Sequence, residues 1–501
     1  LSGVVAAGHP TTAEVGAEVL REGGNAVDAA VAAVLASFVA ESPLTGFGAG
    51  GFMMVHRGRE TVLLDFFVAA PGADGIERGA ELAPVPVHFD AETVQTFYVG
   101  PASCGVPGTA AGLEEALRRF GSVPLAELVR PGVRLAREGA PVNPEQAYIL
   151  DILEPIHARL EGTRELYAPA GRTLREGDLF RFPELAGALE RFGAEGSEPF
   201  RRGEVARVLS EYVVERGGTL GPEDLAAYEA IERRPIRAAF RGTEVLTNPP
   251  PSSGGILIAY CLGLLERLGE SSGPEQLVAA MGAANEARGE AFAEALYGEG
   301  LEASLLEPAS LDLSAGDLLG STTHISVLDR DGMCANVTCS NGSGSGVLVP
   351  GTGVILNNML GEEDLNPLGF HAIAPGRRVP SMMAPTVVLR DGEIQFGLGS
   401  AGSNRIRSAI LQTIVRAVEQ GMAAEQAVRA PRLHFEAGVV QAEPGIDEEA
   451  LARIEARGIP VLRRPAINLF FGGVQAVARA HGTGDLSGGG DPRRGGAVAF
   501  A

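Results

Sequence analysis

The run Gly320-Ser321-Thr322-Thr323-His324-Ile325-Ser326-Val327 puts a glycine and small residues immediately ahead of a strand-like alternation. At such a junction a carbonyl just before a threonine hydroxyl can turn toward it without side-chain crowding, so the run is a candidate self-cleavage site. Two threonines and a histidine that merely open a β-hairpin fit the same residues, and the run alone leaves both readings standing. A second candidate, Gly342-Ser343-Gly344-Ser345-Gly346, offers backbone amides to a phosphate. However, Val347-Leu348-Val349-Pro350 follows it where a dinucleotide fingerprint requires a helix start. No HExxH, EF-hand or Walker lysine pattern occurs, and the eight histidines at 9, 56, 88, 157, 324, 371, 434 and 481 are dispersed. No metal and no cofactor are expected.

Positioning such groups takes a large folded body, and the chain has the material. Its 501 residues are 45% hydrophobic and 21% charged, which excludes a disordered chain and allows one elaborate domain or two ordinary ones. The formal net charge of −22 argues against general binding to nucleic acid or to an anionic membrane. Four cysteines (104, 261, 334 and 339) are too few for a disulfide scaffold. Cys334 and Cys339 sit at odd spacing on a strand-like run, hence on opposite faces. The apolar stretch from Ala26 to Ala40 contains Asp28 and is too short to span a bilayer. The chain opens Leu1-Ser2-Gly3-Val4 with neither a basic region nor a signal-like run, which points to the cytoplasm. The missing initiator Met leaves a periplasmic or secreted location open, should an export peptide have been trimmed.

Helical spacing is expected over 11–22 and 26–40, with Asn25 or Asp28 starting the second helix. The glycine run 46–51 then leads into a strand pair, 52–56 and 61–67. Residues 107–320 read as mainly helical, with helices at 110–120, 125–138, 143–154, 184–193, 203–216, 222–229, 255–268, 274–298 and near Leu305. Extended chain at 231–247 and the rigid loop Pro249-Pro250-Pro251-Ser252-Ser253-Gly254-Gly255 interrupt them. After Gly320 come two hairpins, 324–339 around Asp331-Gly332 and 385–398 around Asp391-Gly392. Helices at 407–419 and 423–430 and strands at 433–440 and 473–478 follow. Strands at both ends and helices between suit helical layers enclosing stacked sheets.

The sequence resembles the gamma-glutamyltransferase family of N-terminal nucleophile hydrolases. The segments that carry the resemblance, in family order, are Gly23 to Ala30, Gly46 to Gly51, Pro107-Gly108-Thr109, Pro249 to Gly255, Thr322 to Val327, Leu356-Asn357-Asn358, Ser381-Met382-Met383-Ala384-Pro385-Thr386, Gly399 to Ile406 and Asp491-Pro492-Arg493-Arg494. The resemblance implies an α+β, four-layer αββα fold and a precursor that cleaves itself between Ser321 and Thr322. Its large portion would be residues 1–321 and its small portion residues 322–501, the two fragments staying together as one domain. Cleavage would turn the Thr322 amide nitrogen into an α-amine of reference pKa about 7.7–8.0, able to help its own hydroxyl attack. Thr322 would then form an acyl ester from an amide and pass it to water or an amine. Backbone N–H groups of Gly402 and Ser403 would meet the oxyanion. Ser340, where the family has threonine, would contact the nucleophile, and His324 would fill a structural polar position.

Where substrate is read, the family pattern is broken. Phe67 stands where family members carry the arginine that clamps an α-carboxylate, so the bidentate grip is lost. The family asparagine aligns with Gly342, and adjacent Asn341 is its candidate substitute. Of the serine pair on the same carboxylate, Ser381 remains and Met382 replaces the other. Glu362 matches the aspartate that receives the substrate ammonium, and Met359 replaces its polar neighbour. Four readings stay open: a generic amidohydrolase or acyltransferase of this family, a true glutathione hydrolase or gamma-glutamyltransferase, a cephalosporin-acylase-like or small-amide hydrolase, and an unprocessed binding protein. A gamma-glutamyl enzyme should bring another Arg or Lys into the cavity opposite Glu362; an acylase should show a wall of Phe67 and Met382. The expected partner is a small amide or gamma-glutamyl compound, with no nucleic acid or membrane, and homo-oligomer formation is left open.

Overall fold

A computed structural model of the protein describes residues 1–88, 94–269, 271–306 and 322–501. Ser321 and the rest of the segment before Thr322 lie outside the described residues. Two antiparallel sheets form the centre. One has seven strands in the spatial order Ala497–Phe500, Gly3–Ala7, Thr323–Asp329, Cys334–Ser340, Gly50–Arg57, Glu60–Phe66, Ile231–Arg233. The other has six, in the order Leu486–Gly490, Gly473–Arg479, Glu393–Ala401, Thr386–Arg390, Thr243–Thr247, Ile236–Phe240.

The sheets face one another because each strand sends alternate residues inward. On Thr323–Asp329 the side chains of Ile325 and Val327 enter the core beneath the helices, whereas Ser326 crosses to the second sheet and donates to the Gln475 carbonyl at 3.1 Å. Helices Pro10–Arg21 and Ala26–Ala40 cover the outer face of the first sheet, and Ser253–Leu268 and Arg405–Ile414 that of the second. This is the αββα arrangement. Every residue of Ala26–Ala40 is buried, which accounts for apolar residues on all its faces, with only Asp28 and Ser37 polar. Both expected caps start it: Asn25 Oδ1 accepts the Val27 N–H at 2.8 Å, and Asp28 Oδ2 accepts the Asn25 N–H at 2.9 Å. Among the described residues no helix is long and apolar enough to cross a membrane.

Both expected hairpins form, and in the second Asp391 (φ 53°) and Gly392 (φ 81°) supply the left-handed pair that a tight turn requires. Cys334 and Cys339 fall into opposite cores, and all four cysteines are free and buried. Several boundaries differ from expectation. The segment 433–440 is a hairpin, Leu433–Glu436 and Val439–Ala442, turning at Ala437 (φ 51°) and Gly438 (φ 76°). The helix expected over 274–298 stops at Glu286 and resumes as Glu290–Ala295, and that over 125–138 divides at Val129. The helix expected from 407 begins at Arg405 and loosens into a π turn at Val415–Glu419.

Candidate active site

Thr322 immediately precedes Thr323–Asp329, the strand flanked by Gly3–Ala7 and Cys334–Ser340. Pairing of Thr323 with Cys339 brings Thr322 to the end of the neighbouring strand, where its Oγ1 donates to Ser340 Oγ at 3.4 Å. Ser340 Oγ also accepts the Gly342 N–H at 2.9 Å, so its lone pairs stay aimed at this corner. Thr322 is 5% exposed and opens onto a small cavity. The polar lining is Thr322, Ser340, Glu362, Asp364, Ser381 and Ser403; the apolar lining is Phe67, Met359, Leu365, Met382, Met383 and Ile406.

The far wall comes from the second sheet. Strand Glu393–Ala401 ends in the turn Gly402-Ser403 and runs into helix Arg405–Ile414. Gly402 has φ 122°, and a Cβ there would stand 2.8 Å from the Gly472 Cα, so glycine is required. Ser403 is left-handed at φ 48°, and its Oγ donates to Asp364 Oδ2 at 2.6 Å. Among the described residues no hydrogen bond takes up the N–H of Gly402 or Ser403.

Phe67 follows strand Glu60–Phe66 and stacks on Phe52, with ring centroids 5.4 Å apart. The two guanidinium groups on its side are engaged elsewhere. Arg233 Nε donates to Asp65 Oδ2 at 2.6 Å and Arg378 Nε to Asp65 Oδ1 at 3.2 Å, while Asp65 Oδ1 also accepts the Phe67 N–H. None of the lining groups named above is a cation. Beside Phe67, Ser381 and Met382 are held by the Pro249–Gly255 loop: Ser253 N–H donates to the Ser381 carbonyl at 2.8 Å, and Ser252 Oγ to the same oxygen at 2.9 Å.

Glu362 and Asp364 form a buried acidic pair. Burial, and then the Asp364 charge, push the Glu362 carboxyl well above its usual range, although its Oε1 accepts the Ser343 N–H at 2.8 Å. Burial likewise raises Asp364, against the pull of the Ser403 hydroxyl and the Arg288 charge. Burial and mutual repulsion favour a shared proton on such a pair, which can then accept from, or donate to, a neutral polar substrate group. His324 has the structural position expected of it. Its Nδ1 meets Thr338 Oγ1 at 2.7 Å and its Nε2 meets Ser326 Oγ at 2.9 Å, and burial lowers its pKa to about 3.

Of the residues singled out from the sequence, Thr322, Ser340, Ser403, Phe67, Glu362, Ser381 and Met382 meet at the cavity, with Gly402 one step behind Ser403. Asn341 is not among the lining residues: its buried amide lies beside Gly46, and among the described residues neither its Nδ2 nor its Oδ1 has a hydrogen-bond partner. Asp364 was missed: in Glu362-Glu363-Asp364 three successive acids read as a solvated turn. Its only sequence signal is the two-residue spacing from Glu362.

A nucleophile candidate one residue ahead of a strand, between two stacked sheets under helical layers, is the arrangement of an N-terminal nucleophile hydrolase. The family model described as gamma-glutamyltranspeptidase matches residues 12–501, and the chain belongs to that family of self-processing hydrolases and acyltransferases. It is 34% identical over 505 residues to the acylase ACY 1 proenzyme of Pseudomonas sp. (strain SE83), covering 95% of this chain and 89% of that protein. It is 31% identical over 540 residues to the glutathione hydrolase proenzyme of Escherichia coli (strain K12), covering 98% and 90%. Among solved structures, cephalosporin acylase from Bacillus halodurans superposes with a TM-score of 0.84 at 26% identity, covering 100% of this chain and 96% of that one.

Proposed function

We propose that the protein is an N-terminal threonine amidohydrolase or acyltransferase that acts on amides of largely apolar acyl groups. The observation that carries this reading is the cavity wall of Phe67, Met359 and Met382 around Thr322, with no cation among the named lining groups. A free gamma-glutamyl group would bury its α-carboxylate there without a partner, which costs several kcal/mol or about that scale in affinity.

Maturation begins when Thr322 Oγ adds to the carbonyl carbon of Ser321 and the Ser321–Thr322 C–N bond breaks, giving an ester. Water then hydrolyses the ester, leaving a Ser321 carboxylate and a free Thr322 amine. In turnover the amine accepts the hydroxyl proton as Oγ attacks the substrate carbonyl. The N–H groups of Gly402 and Ser403 receive the oxyanion, and Ser340 steadies Oγ. The leaving amine departs with the proton. Water, or an acceptor amine, takes the acyl group from the ester and restores the threonine. Ser381 and the Glu362–Asp364 pair orient the polar end of the acyl chain.

The test is the ratio of kcat/KM for an aliphatic N-acyl anilide to that for the gamma-glutamyl anilide. A ratio above about 10² supports the reading, the scale set by an unpaired buried charge. A preference for the gamma-glutamyl compound overturns it.

A further inference from the structure

Glu41 follows the all-buried helix Ala26–Ala40 and is itself 2% exposed. It touches none of the cavity lining, yet its carboxylate is one residue from the nucleophile. Oε2 accepts the hydroxyl of Thr323, and Oε1 accepts the hydroxyl of Thr12 at 2.8 Å. The fit is close: a Cβ on Gly8 would stand 2.3 Å from Glu41 Oε2, so the chain gives up a side chain to admit the carboxylate. Successive residues of an extended strand point to opposite faces. Thr323 therefore points down to the helices while Thr322 points up into the cavity, and holding one fixes the rotation of the other.

We propose that Glu41 is a positioning residue for Thr322: by gripping the Thr323 hydroxyl from the helix side it keeps the Thr322 hydroxyl turned into the cavity, in chain cleavage and in turnover. This rests on the reading of Thr322 as nucleophile. As a carboxylate, Glu41 accepts both hydroxyl bonds with its full charge; once protonated it donates one of them to a hydroxyl that must turn to accept, and both bonds lose the charge that strengthens them. Burial pushes this carboxyl up to about 7, against the two hydroxyl bonds and the Arg494 charge. The groups that act on it are Thr12 on the first helix, Thr323 on the strand, and Arg494 near the C-terminus. The brace therefore tightens as pH rises through neutrality.

Glu41→Gln keeps the shape but can accept only one of the two bonds. Its effect is read in the rate at which the fragment beginning at Thr322 appears, in kcat and KM of the matured enzyme, and in the pH profile of kcat from about pH 5.5 to about 9. The expected result is a fall of about tenfold in kcat and in maturation rate, the scale of one charge-assisted hydrogen bond, with KM unchanged. The acid limb of the profile should simplify from two ionisations to the one of the Thr322 amine. Thr323→Val removes the gripped hydroxyl and spares the carboxylate; it should reproduce the fall in kcat, and it decides the matter if Glu41→Gln does not fold. Wild-type maturation, kcat and pH profile in both variants, with Thr322→Ala inactive, overturn the brace and leave the nucleophile standing. Normal processing of Thr322→Ala overturns both.

Discussion

At the scale of single residues, the proposed mechanism has the Thr322 hydroxyl attack in both reactions, so its loss should stop both. Thr322→Ala should leave a 501-residue chain with no turnover, and mass spectrometry that finds the usual fragments would remove the assignment. Phe67 carries the specificity argument. Phe67→Arg puts a guanidinium where a gamma-glutamyl carboxylate would lie, and kcat/KM for gamma-glutamyl amides should rise about tenfold as the charged pair forms. No rise would mean that the Met359 and Met382 wall, rather than the missing charge, excludes that substrate. His157 tests the cost of a buried ring away from the site. Neither ring nitrogen has a partner among the described residues, its ring lies 4.4 Å from Tyr167, and burial lowers its pKa to about 4. Between pH 6.5 and about 4 the unfolded chain therefore binds a proton there that the folded chain refuses, so stability is full above 6.5 and is lost as pH falls. His157→Phe should recover about 2 kcal/mol at about pH 5 and little at about pH 7.5, measured as the change in Tm at each.

At the scale of elements, glycines let segments approach closely enough to build the cavity. A Cβ at Gly254, on the first turn of Ser253–Leu268, would stand 2.0 Å from the Met382 carbonyl oxygen. Alanine favours a helix by about 1 kcal/mol over glycine, but backbone cannot yield as a side chain does, and overpacking costs about 1–3 kcal/mol. Gly254→Ala should therefore lower Tm and raise KM by displacing Met382; an unchanged KM would separate this loop from substrate binding. The motifs and both Asp-Gly hairpins were legible in the sequence because each uses a residue type that few other conformations demand. Leu486–Gly490 was not: Leu-Ser-Gly-Gly-Gly has no alternation, and only its neighbour Gly473–Arg479 makes it a strand. The short strands Gly3–Ala7 and Ala497–Phe500 are likewise defined by pairing with each other across the whole chain. Among the candidate site residues, Thr322 stood out locally only as one of two readings, and Phe67 and Met382 were named through the family resemblance. Asp364 and Glu41 could not be read from the sequence, because a carboxylate looks solvated until its burial is known.

At the scale of the molecule, cleavage before Thr322 would divide the sequence but not the sheets. Gly3–Ala7, from the portion before the cut, lies between Ala497–Phe500 and Thr323–Asp329 from the portion after it. In the second sheet Thr243–Thr247 pairs with Thr386–Arg390. Backbone ladders and both cores cross the division, so the two portions are joined as a domain interior is, far beyond an ordinary docking interface. A matured sample of this chain should thus show fragments of 321 and 180 residues under denaturing conditions and keep the two together in one body under native ones. Activity should disappear in the same denaturant range as the native body, because Phe67 and Glu41 come from one fragment and Thr322, Glu362 and Ser403 from the other. Fragments that separate under native conditions, or either fragment turning over substrate alone, would contradict a site shared across the cut. An intact chain that never cleaves would leave the Thr322 nitrogen an amide without useful basicity, and the cavity could then bind an amide but not hydrolyse it by this route.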